Sequence, residues 1–111
     1  MAKKHSSLER TLKTLRSDPA CIRALKVEHW NHFAKKKQDL LGGDVLALYV
    51  GGLRLVQVTD MQHRAAHVRA AQGSVEVRDW LLTGNPFEVW AWRKLKDGKY
   101  HVDITAVAEG D

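Results

Sequence analysis

Two apolar runs separated by a pair of glycines form the clearest pattern in the chain. The runs are Asp44–Val50 and Leu53–Val58, and Gly51-Gly52 lies between them. Glycine adopts the positive φ that tight hairpin turns require, so this pattern predicts two antiparallel strands joined by a two-residue turn. We expect Val50 to pair with Leu53 across that turn.

The predicted hairpin gathers polar side chains at one end of an apolar face. Side chains alternate between the two faces of a strand, so one face carries leucines and then polar groups. These polar residues are Asp44 on the first strand and Gln57 and Thr59 on the second. Buried polar groups need hydrogen-bond partners or a chemical role, so this cluster is the first candidate site.

Helical and strand-like spacings on either side predict the remaining elements. Leucines at helical spacing, after a capping box that starts at Ser6, predict a helix over Ser7–Arg16. Before the hairpin we expect a short helical turn carrying Cys21, Ile22 and Leu25, a strand over Lys26–Asn31 and a basic loop over His32–Gly43. After the hairpin we expect a helix capped by Asp60 and ended by Gly73, which carries Met61, Ala65, Val68 and Ala71, and then a helix from Ser74 through Leu82. The last expected elements are strands over Phe87–Leu95 and Tyr100–Val107, joined by a turn at Asp97-Gly98. We expect residues 1–5 and Ala108–Asp111 to be loose.

This order of elements predicts an α/β fold. Helix, strand, hairpin, one or two helices and two further strands suit a mixed sheet of about four to five strands flanked by helices. We expect one domain over residues 1–111, with a core of about residues 7–107.

The composition narrows the classes of protein to which the chain can belong. Its 111 residues suit one domain, and no apolar stretch is long enough for a transmembrane helix or a signal peptide. The lone Cys21 can form no internal disulfide, which favours a cytoplasmic location. The net charge of +5 and the pI near 9.6 favour a polyanionic partner such as nucleic acid.

Basic residues supply a candidate surface for DNA. Arg64 and His67 lie one helical turn apart on the helix predicted after the hairpin, and three consecutive lysines precede it: Lys35, Lys36 and Lys37. Such a surface contacts phosphates. The alternative for the lysines is an ordinary solvated loop. His63 and His67 have the spacing of a zinc pair, but no nearby cysteine or HExxH pattern accompanies them, which favours a surface or phosphate-contacting role.

The polar end of the hairpin has the ligand types that a hard divalent cation prefers. Mg²⁺ takes oxygen ligands and keeps several waters, so one or two carboxylates and a carbonyl oxygen are enough to hold it. We expect Asp44 to be the main ligand, with the Gln57 amide oxygen and the Val58 carbonyl beside it. Glu9 would add a second carboxylate or orient a water. Bound to a phosphate, Mg²⁺ or Mn²⁺ would polarise a phosphoryl oxygen and supply a water of lowered pKa.

The same residues resemble a known nuclease motif. Asp44-Val45-Leu46-Ala47, a short turn and Val56-Gln57-Val58-Thr59 are similar to the hairpin of the PD-(D/E)XK nuclease superfamily, in particular its small phage-type and Holliday-junction-resolvase-like members. Residues 26–41 resemble the basic strand and loop before the acidic motif, and residues 77–94 resemble the closing helix and strand. The resemblance spans about residues 7–107.

The resemblance implies a restriction-endonuclease-like fold, Mg²⁺-dependent cleavage of DNA, a preference for branched DNA such as Holliday junctions, and a homodimer. On this basis Glu9 matches the helical acid, Asp44 the motif's aspartate and Gln57 the second acid. Thr59 stands where the family has a catalytic lysine, which normally positions the attacking water and offsets charge on the phosphate. A lysine of the basic triplet or Arg64 would then have to supply the missing cation.

Each candidate residue also has a structural interpretation. These are helix capping for Glu9, capping of the strand entry for Asp44, a satisfied core amide for Gln57, strand propensity for Thr59 and loop stabilisation for Asp39. We expect Trp80, Trp90 and Trp92 in the core or at a dimer interface rather than as base-stacking platforms. Two further hypotheses therefore stand beside an active nuclease: a nuclease fold without activity that binds DNA or protein, and a scaffold that binds only protein.

Overall fold

The structure is a computed structural model that describes residues 6–27, 29–38 and 40–108, with the backbone alone for residues 29–31 and 36–38. The expectations for residues 1–5, for Asp39 and for the tail beyond residue 108 lie outside the described residues.

The described residues form three helices and seven strands. In chain order they are α1 Ser7–Arg16, β1 Cys21–Lys26, β2 His29–Asn31, β3 Lys36–Gln38, β4 Val45–Tyr49, β5 Gly52–Asp60, α2 Arg64–Gln72, α3 Val75–Leu82, β6 Phe87–Lys94 and β7 Tyr100–Ala106. The predicted first helix, the helix after Ser74 and the last two strands are confirmed, because each has strong local start and stop signals.

Five of the strands form one mixed sheet in the order β1-β4-β5-β6-β7. Neighbouring strands are antiparallel except β5 and β6, which are parallel and are connected through α2 and α3. A parallel pair requires such a crossover, because a tight turn can only join antiparallel strands. The α/β prediction, with a mixed sheet flanked by helices, is confirmed.

The two faces of the sheet carry separate cores. On one face, Leu15 of α1 packs in a cluster with Val56 and the tryptophans of β6. On the other face, α2 and α3 pack in a cluster with Leu55. Leu55 and Val56 are adjacent in one strand, so they point to opposite faces. All three late tryptophans are buried, which confirms the expectation that they belong to the core: Trp80, Trp90 and Trp92.

The first core holds α1 to β6 through a buried hydrogen bond. The indole Nε1–H of Trp92 donates to Thr11 Oγ1 at 2.8 Å, and the Thr11 side chain is fully buried. Thr11 Oγ1 in turn donates to the carbonyl of Ser7 at 2.8 Å. Since both buried polar groups have partners, this polar contact fixes the helix on the sheet without an unsatisfied group.

The hairpin forms as predicted, but its register is shifted by two residues. Val45 pairs with Val56 and Tyr49 pairs with Gly52, so the turn consists of Val50 and Gly51. Gly51 takes the positive φ of 80°, and Val50 is 89% exposed at the tip. Because the side-chain period of a strand is two residues, a shift of two leaves every side chain on its predicted face.

The segment before the hairpin differs from the prediction. Cys21–Lys26 is not a helical turn but the edge strand β1, which pairs with β4 and buries Ala24. The pairing with β4 outweighs the weak local helix signal. The predicted strand at Lys26–Asn31 is divided between Lys26, the last residue of β1, and the whole of β2.

The predicted basic loop is also corrected, because it contains a second, two-stranded hairpin. Strand β3 pairs with β2, and Lys36 and Lys37 lie in β3 opposite Asn31 and Trp30. Among the three lysines only Lys35 lies in the connecting turn, where it is exposed and has a φ of 53°.

A close approach of backbone to core fixes the entry to β4. A Cβ atom at Gly43 would lie 2.4 Å from Leu55 Cγ, and the Leu55 side chain is fully buried. Such a contact forces either the backbone before Asp44 or the core to shift. Gly43 is therefore required where the chain turns into the candidate site.

We expect Gly43→Ala to lower the free energy of unfolding by about 1–3 kcal/mol, because the added methyl overpacks a filled core. Urea unfolding followed by tryptophan fluorescence measures this loss. Gly73→Ala is the matched control, since its Cβ would meet no atom nearer than 3.6 Å. An equal effect of both substitutions would show that the contact with Leu55 is not limiting.

Candidate cation and nucleic-acid site

Asp44 lies at the point where β1, β4 and β5 meet. Its carbonyl accepts the Val27 N–H at 2.9 Å, and its own N–H donates to the Val56 carbonyl at 2.8 Å. The carboxylate oxygen Oδ2 accepts the Val58 N–H at 2.8 Å. These bonds fix the carboxylate against the backbone of β5, next to Gln57.

Gln57 projects from β5 towards α2. Its amide nitrogen Nε2 lies 2.9 Å from Nδ1 of His67, and the contact is partly buried. With the amide nitrogen as donor, Nδ1 accepts and the ring proton sits on Nε2 of the imidazole. The Gln57 amide oxygen is then the atom that could bind a cation.

A cavity of about 200 Å³ lies beside Gln57, between the sheet and the helices α2 and α3. Its wall is formed mostly by small or apolar side chains, with Gln57 and Ser74 as polar members: Gly42, Gln57, Ala70, Ala71, Ser74, Val77 and Phe87. One water occupies about 30 Å³ of liquid, so the space holds several waters. A hydrated divalent cation needs such room, because Mg²⁺ keeps part of its water shell.

Thr59 and Arg64 are the next two candidate residues along the chain. Thr59 is half-buried in β5 and shares the face of Gln57, because the two are separated by one residue. Arg64 is the first residue of α2, three positions before His67, so the two side chains lie on the same side of the helix. Helical spacing therefore places Arg64 on the side of α2 that carries His67, whose ring contacts Gln57.

Glu9 occupies a different place. It is exposed on α1, and that helix packs on the face of Val56, whereas Gln57 faces α2. The Glu9 N–H donates to Ser6 Oγ at 3.2 Å, which confirms the predicted helix cap. Glu9 lines a groove of about 500 Å³ along α1 together with basic residues of the same helix: Arg10, Lys13 and Arg16. The sheet therefore separates the helix of Glu9 from the side chain of Gln57.

Asp60 and His63 form a pair that holds the start of α2, and the sequence predicted a role only for Asp60. Asp60 is the last residue of β5 and does not itself cap the helix, but its Oδ1 accepts both the N–H and the ring Nδ1 of His63 at 2.9 and 2.8 Å. Burial raises the pKa of Asp60, but the side-chain and backbone hydrogen bonds from His63 outweigh it and hold this pKa below its usual value. Asp60 therefore holds the residue that precedes α2 through both its backbone N–H and its ring.

The contact between Gln57 and His67 is the feature that sequence reasoning missed. Strand alternation placed Gln57 on one face, and helical spacing placed His67 beside Arg64, but the packing of α2 on β5 brings the two side chains together. In the described part of the chain, no group of three or more His, Cys, Asp or Glu side chains is close enough to hold a metal ion. A cation here would depend on Asp44 together with amide, carbonyl and water oxygens.

Comparison with known proteins gives no family for this chain. No family model, curated protein or solved structure gives a significant match to the chain. None of the helices among the described residues is long and apolar enough to span a membrane. The structure defines the chain as an α/β protein with a mixed five-stranded sheet and a polar cluster between β4, β5 and α2.

We expect Asp44→Ala to lower the free energy of unfolding by about 1–2 kcal/mol, because the partly buried Val58 N–H loses its acceptor. Asp44→Asn keeps an acceptor oxygen and should lose less. Thermal and urea unfolding of the two variants measure the difference. If Asn destabilises as much as Ala, the charge of Asp44 and not its hydrogen bond is what the fold requires.

Proposed function

We propose that the chain is a metal-dependent endonuclease-like protein that binds DNA and cleaves its phosphodiesters. One observation carries the proposal: the Asp44 carboxylate is held 2.8 Å from the Val58 N–H, directly beside Gln57. This arrangement supports a cation site built from one carboxylate and neighbouring oxygen ligands. It uses the same residues that resemble the motif of the PD-(D/E)XK superfamily.

Asp44 and Gln57 are the residues that would hold Mg²⁺ or Mn²⁺. When bound, the metal would polarise a phosphoryl oxygen and lower the pKa of a coordinated water. The chain's own contribution is to fix the ligands: backbone hydrogen bonds hold Asp44, and His67 orients the Gln57 amide with its nitrogen directed away from the cation. Glu9 lies on the helix of the opposite face and has no part in this arrangement, so the function proposed for it at the metal is not carried forward.

The DNA would lie against the α2 face of the site. With Nδ1 of His67 accepting from Gln57, its Nε2–H remains as a donor for a phosphate oxygen. Arg64 begins the same helix one turn earlier, and the net charge of +5 favours a polyanion. Lys35, Lys36 and Lys37 on the β2–β3 hairpin extend the basic character to a second element. We include branched DNA and a homodimer in the proposal on the basis of the resemblance alone.

A second candidate function is a DNA-binding module of the same fold without nuclease activity. Two observations favour it. Thr59 carries no charge at the place where the resemblance calls for a lysine, and the Gln57 amide is already satisfied in part by His67. In this alternative Asp44 and Gln57 hold the hairpin and the helix together, and the basic residues alone provide the function.

A cleavage assay separates the two. We expect the wild-type protein to cut a fluorescent four-way junction or flap in Mg²⁺ or Mn²⁺, and Asp44→Asn to slow cleavage by about 100-fold or more, because several kcal/mol of charge stabilisation are lost. Asn is chosen because it keeps a hydrogen-bond acceptor for Val58. Equal cleavage by both proteins would refute the metal site.

The paired substitution Gln57→Glu with Thr59→Lys provides the positive control. It installs the second acid and the lysine that the resemblance implies, so it should increase cleavage if the fold supports the reaction. A wild type that binds DNA without cutting it, together with a double variant that cuts, identifies the inactive module. Failure of both proteins to cut any substrate at saturating DNA rejects the nuclease proposal.

Changing Lys35, Lys36 and Lys37 together to Ala should weaken DNA binding and reduce the slope of log K against log salt concentration by about 2 to 3, because each phosphate contact releases close to one counterion. Fluorescence anisotropy over a salt series measures the slope. Lys13→Ala, Lys96→Ala and Lys99→Ala together, on α1 and around the turn before β7, remove the same three charges and control for net charge alone. An unchanged slope for the triple variant excludes the β2–β3 hairpin from the DNA surface.

A further inference from the structure

Strand β7 is an unprotected edge of the main sheet. It forms one end of the strand order, and no described strand pairs with its outer side. Natural sheets protect edges with prolines, bulges or charged side chains, lysine above all. Tyr100–Ala106 has no proline, bulge or lysine and pairs with β6 in an unbroken register, and its one carboxylate, Asp103, lies 3.4 Å from His101 of the same strand. Two large side chains of this strand are partly exposed, Ile104 at 49% and Tyr100 at 43%, and the Arg10 guanidinium of α1 lies 3.5 Å from the centroid of the Tyr100 ring.

The hydrogen-bonding groups of β7 that face outwards can be identified. The Val107 N–H donates to the Phe87 carbonyl at 2.8 Å, and the Lys99 carbonyl accepts the Leu95 N–H at 2.7 Å. The N–H and C=O of one residue point to the same side of an antiparallel strand, and this side alternates along the chain. The backbone N–H and C=O groups of the odd-numbered residues of β7 therefore bond to β6, and the outward groups belong to Tyr100, Val102, Ile104 and Ala106.

We propose that this edge pairs with β7 of a second copy of the chain, antiparallel and with a two-fold axis at Val102. Val102 then exchanges hydrogen bonds with its own equivalent, and Tyr100 exchanges them with Ile104 of the second copy. The two sheets become one continuous sheet. The exposed side chain of Ile104 then packs beside Tyr100 of the second copy on the face that carries α1, next to the ring that Arg10 partly covers.

Charge selects this register. An axis at Val102 places His101 opposite Asp103 of the second copy, in a pair without backbone hydrogen bonds, where side chains approach most closely. Within one strand these two side chains already lie 3.4 Å apart. An axis at Asp103 would instead place two carboxylates face to face, and like charges directly opposite each other are destabilising. An axis at Ile104 would place Asp103 opposite Thr105 and leave Tyr100 without a partner.

This pairing gives an interface to the homodimer included in the proposed function, but it uses no residue of the candidate site and is tested without reference to nuclease activity. The paired edges bury a small interface compared with stable complexes, so we expect a reversible dimer whose fraction rises with protein concentration. Sedimentation equilibrium over a concentration series, without DNA or metal, measures the dissociation constant.

Charge substitutions on β7 test both the surface and the register. Asp103→Lys places a cation opposite His101 of the second copy and should raise the dissociation constant at least about tenfold. The double substitution His101→Asp with Asp103→Lys restores opposite charges across the axis and should recover dimerisation. Asp79→Lys on the exposed surface of α3 makes the same change in net charge and should leave the dimer intact. Circular dichroism and thermal unfolding confirm that each variant is folded.

Hydrogen exchange gives a second measurement that does not depend on substitutions. The amides of Val102 and Ile104 should become protected as concentration rises, whereas those of His101 and Asp103 should be protected at every concentration. A wild type that remains monomeric throughout the series overturns the proposal. A dimer that Asp103→Lys leaves intact, or that the double variant does not recover, overturns the pairing through Val102.

Discussion

The alternation of side chains along β5 determines which parts of the chain can meet. Val56 points to the face covered by α1, and Leu55 and Gln57 point to the face covered by α2 and α3. The central position of β5, antiparallel to β4 and parallel to β6, fixes both faces at once. This constraint brings Gln57 to His67 and keeps the helix of Glu9 on the other side of the sheet. A one-residue slip in β5 would reverse both outcomes.

Most of the fold could be predicted where local signals and tertiary packing agree. Ser6 caps α1, Ser74 caps α3, and the turn at Gly98 joins β6 to β7, each with a side chain or backbone conformation characteristic of its position. Strand β1 could not be predicted in this way, because its residues form a strand only through pairing with β4. The predicted register of the hairpin was wrong because the sequence contains two adjacent glycines. Only the structure shows which of them occupies the turn.

The candidate site was predictable in part for the same physical reason. Asp44, Gln57 and Thr59 were grouped correctly, because period-two alternation survives a register error of two residues. The contact between Gln57 and His67 was not predictable, since it depends on how α2 packs on the sheet. The assignment of Glu9 rested on its carboxylate and on the resemblance, and neither carries information about the face on which α1 lies. The sequence pattern therefore predicts which side chains share a face of a strand. Which side chains of a helix contact that face depends on how the helix packs on the sheet.

The chemistry of the site follows from having one carboxylate where the resemblance implies two. An amide oxygen adds no negative charge, so Asp44 and Gln57 would attract a divalent cation less strongly than a pair of acids. Mg²⁺ is commonly held by one or two carboxylates together with the phosphates of its substrate. In the proposed function the DNA phosphate would therefore complete the cation site, and cation and DNA would bind more tightly together than separately.

The proposed pairing of β7 edges would also determine how two cation and DNA sites are oriented relative to each other. A two-fold axis that passes through Val102 perpendicular to the sheet leaves each face of the sheet on its own side. Both copies of α2, with Arg64 and His67, would then face the same direction, and both copies of α1 would face the opposite one. A surface of doubled positive charge on one side of a continuous sheet suits a nucleic acid with more than one strand to contact. An axis in the plane of the sheet, along the strands, would instead pair the two edges parallel and turn the two copies of α2 to opposite faces, so a single duplex could not engage both sites.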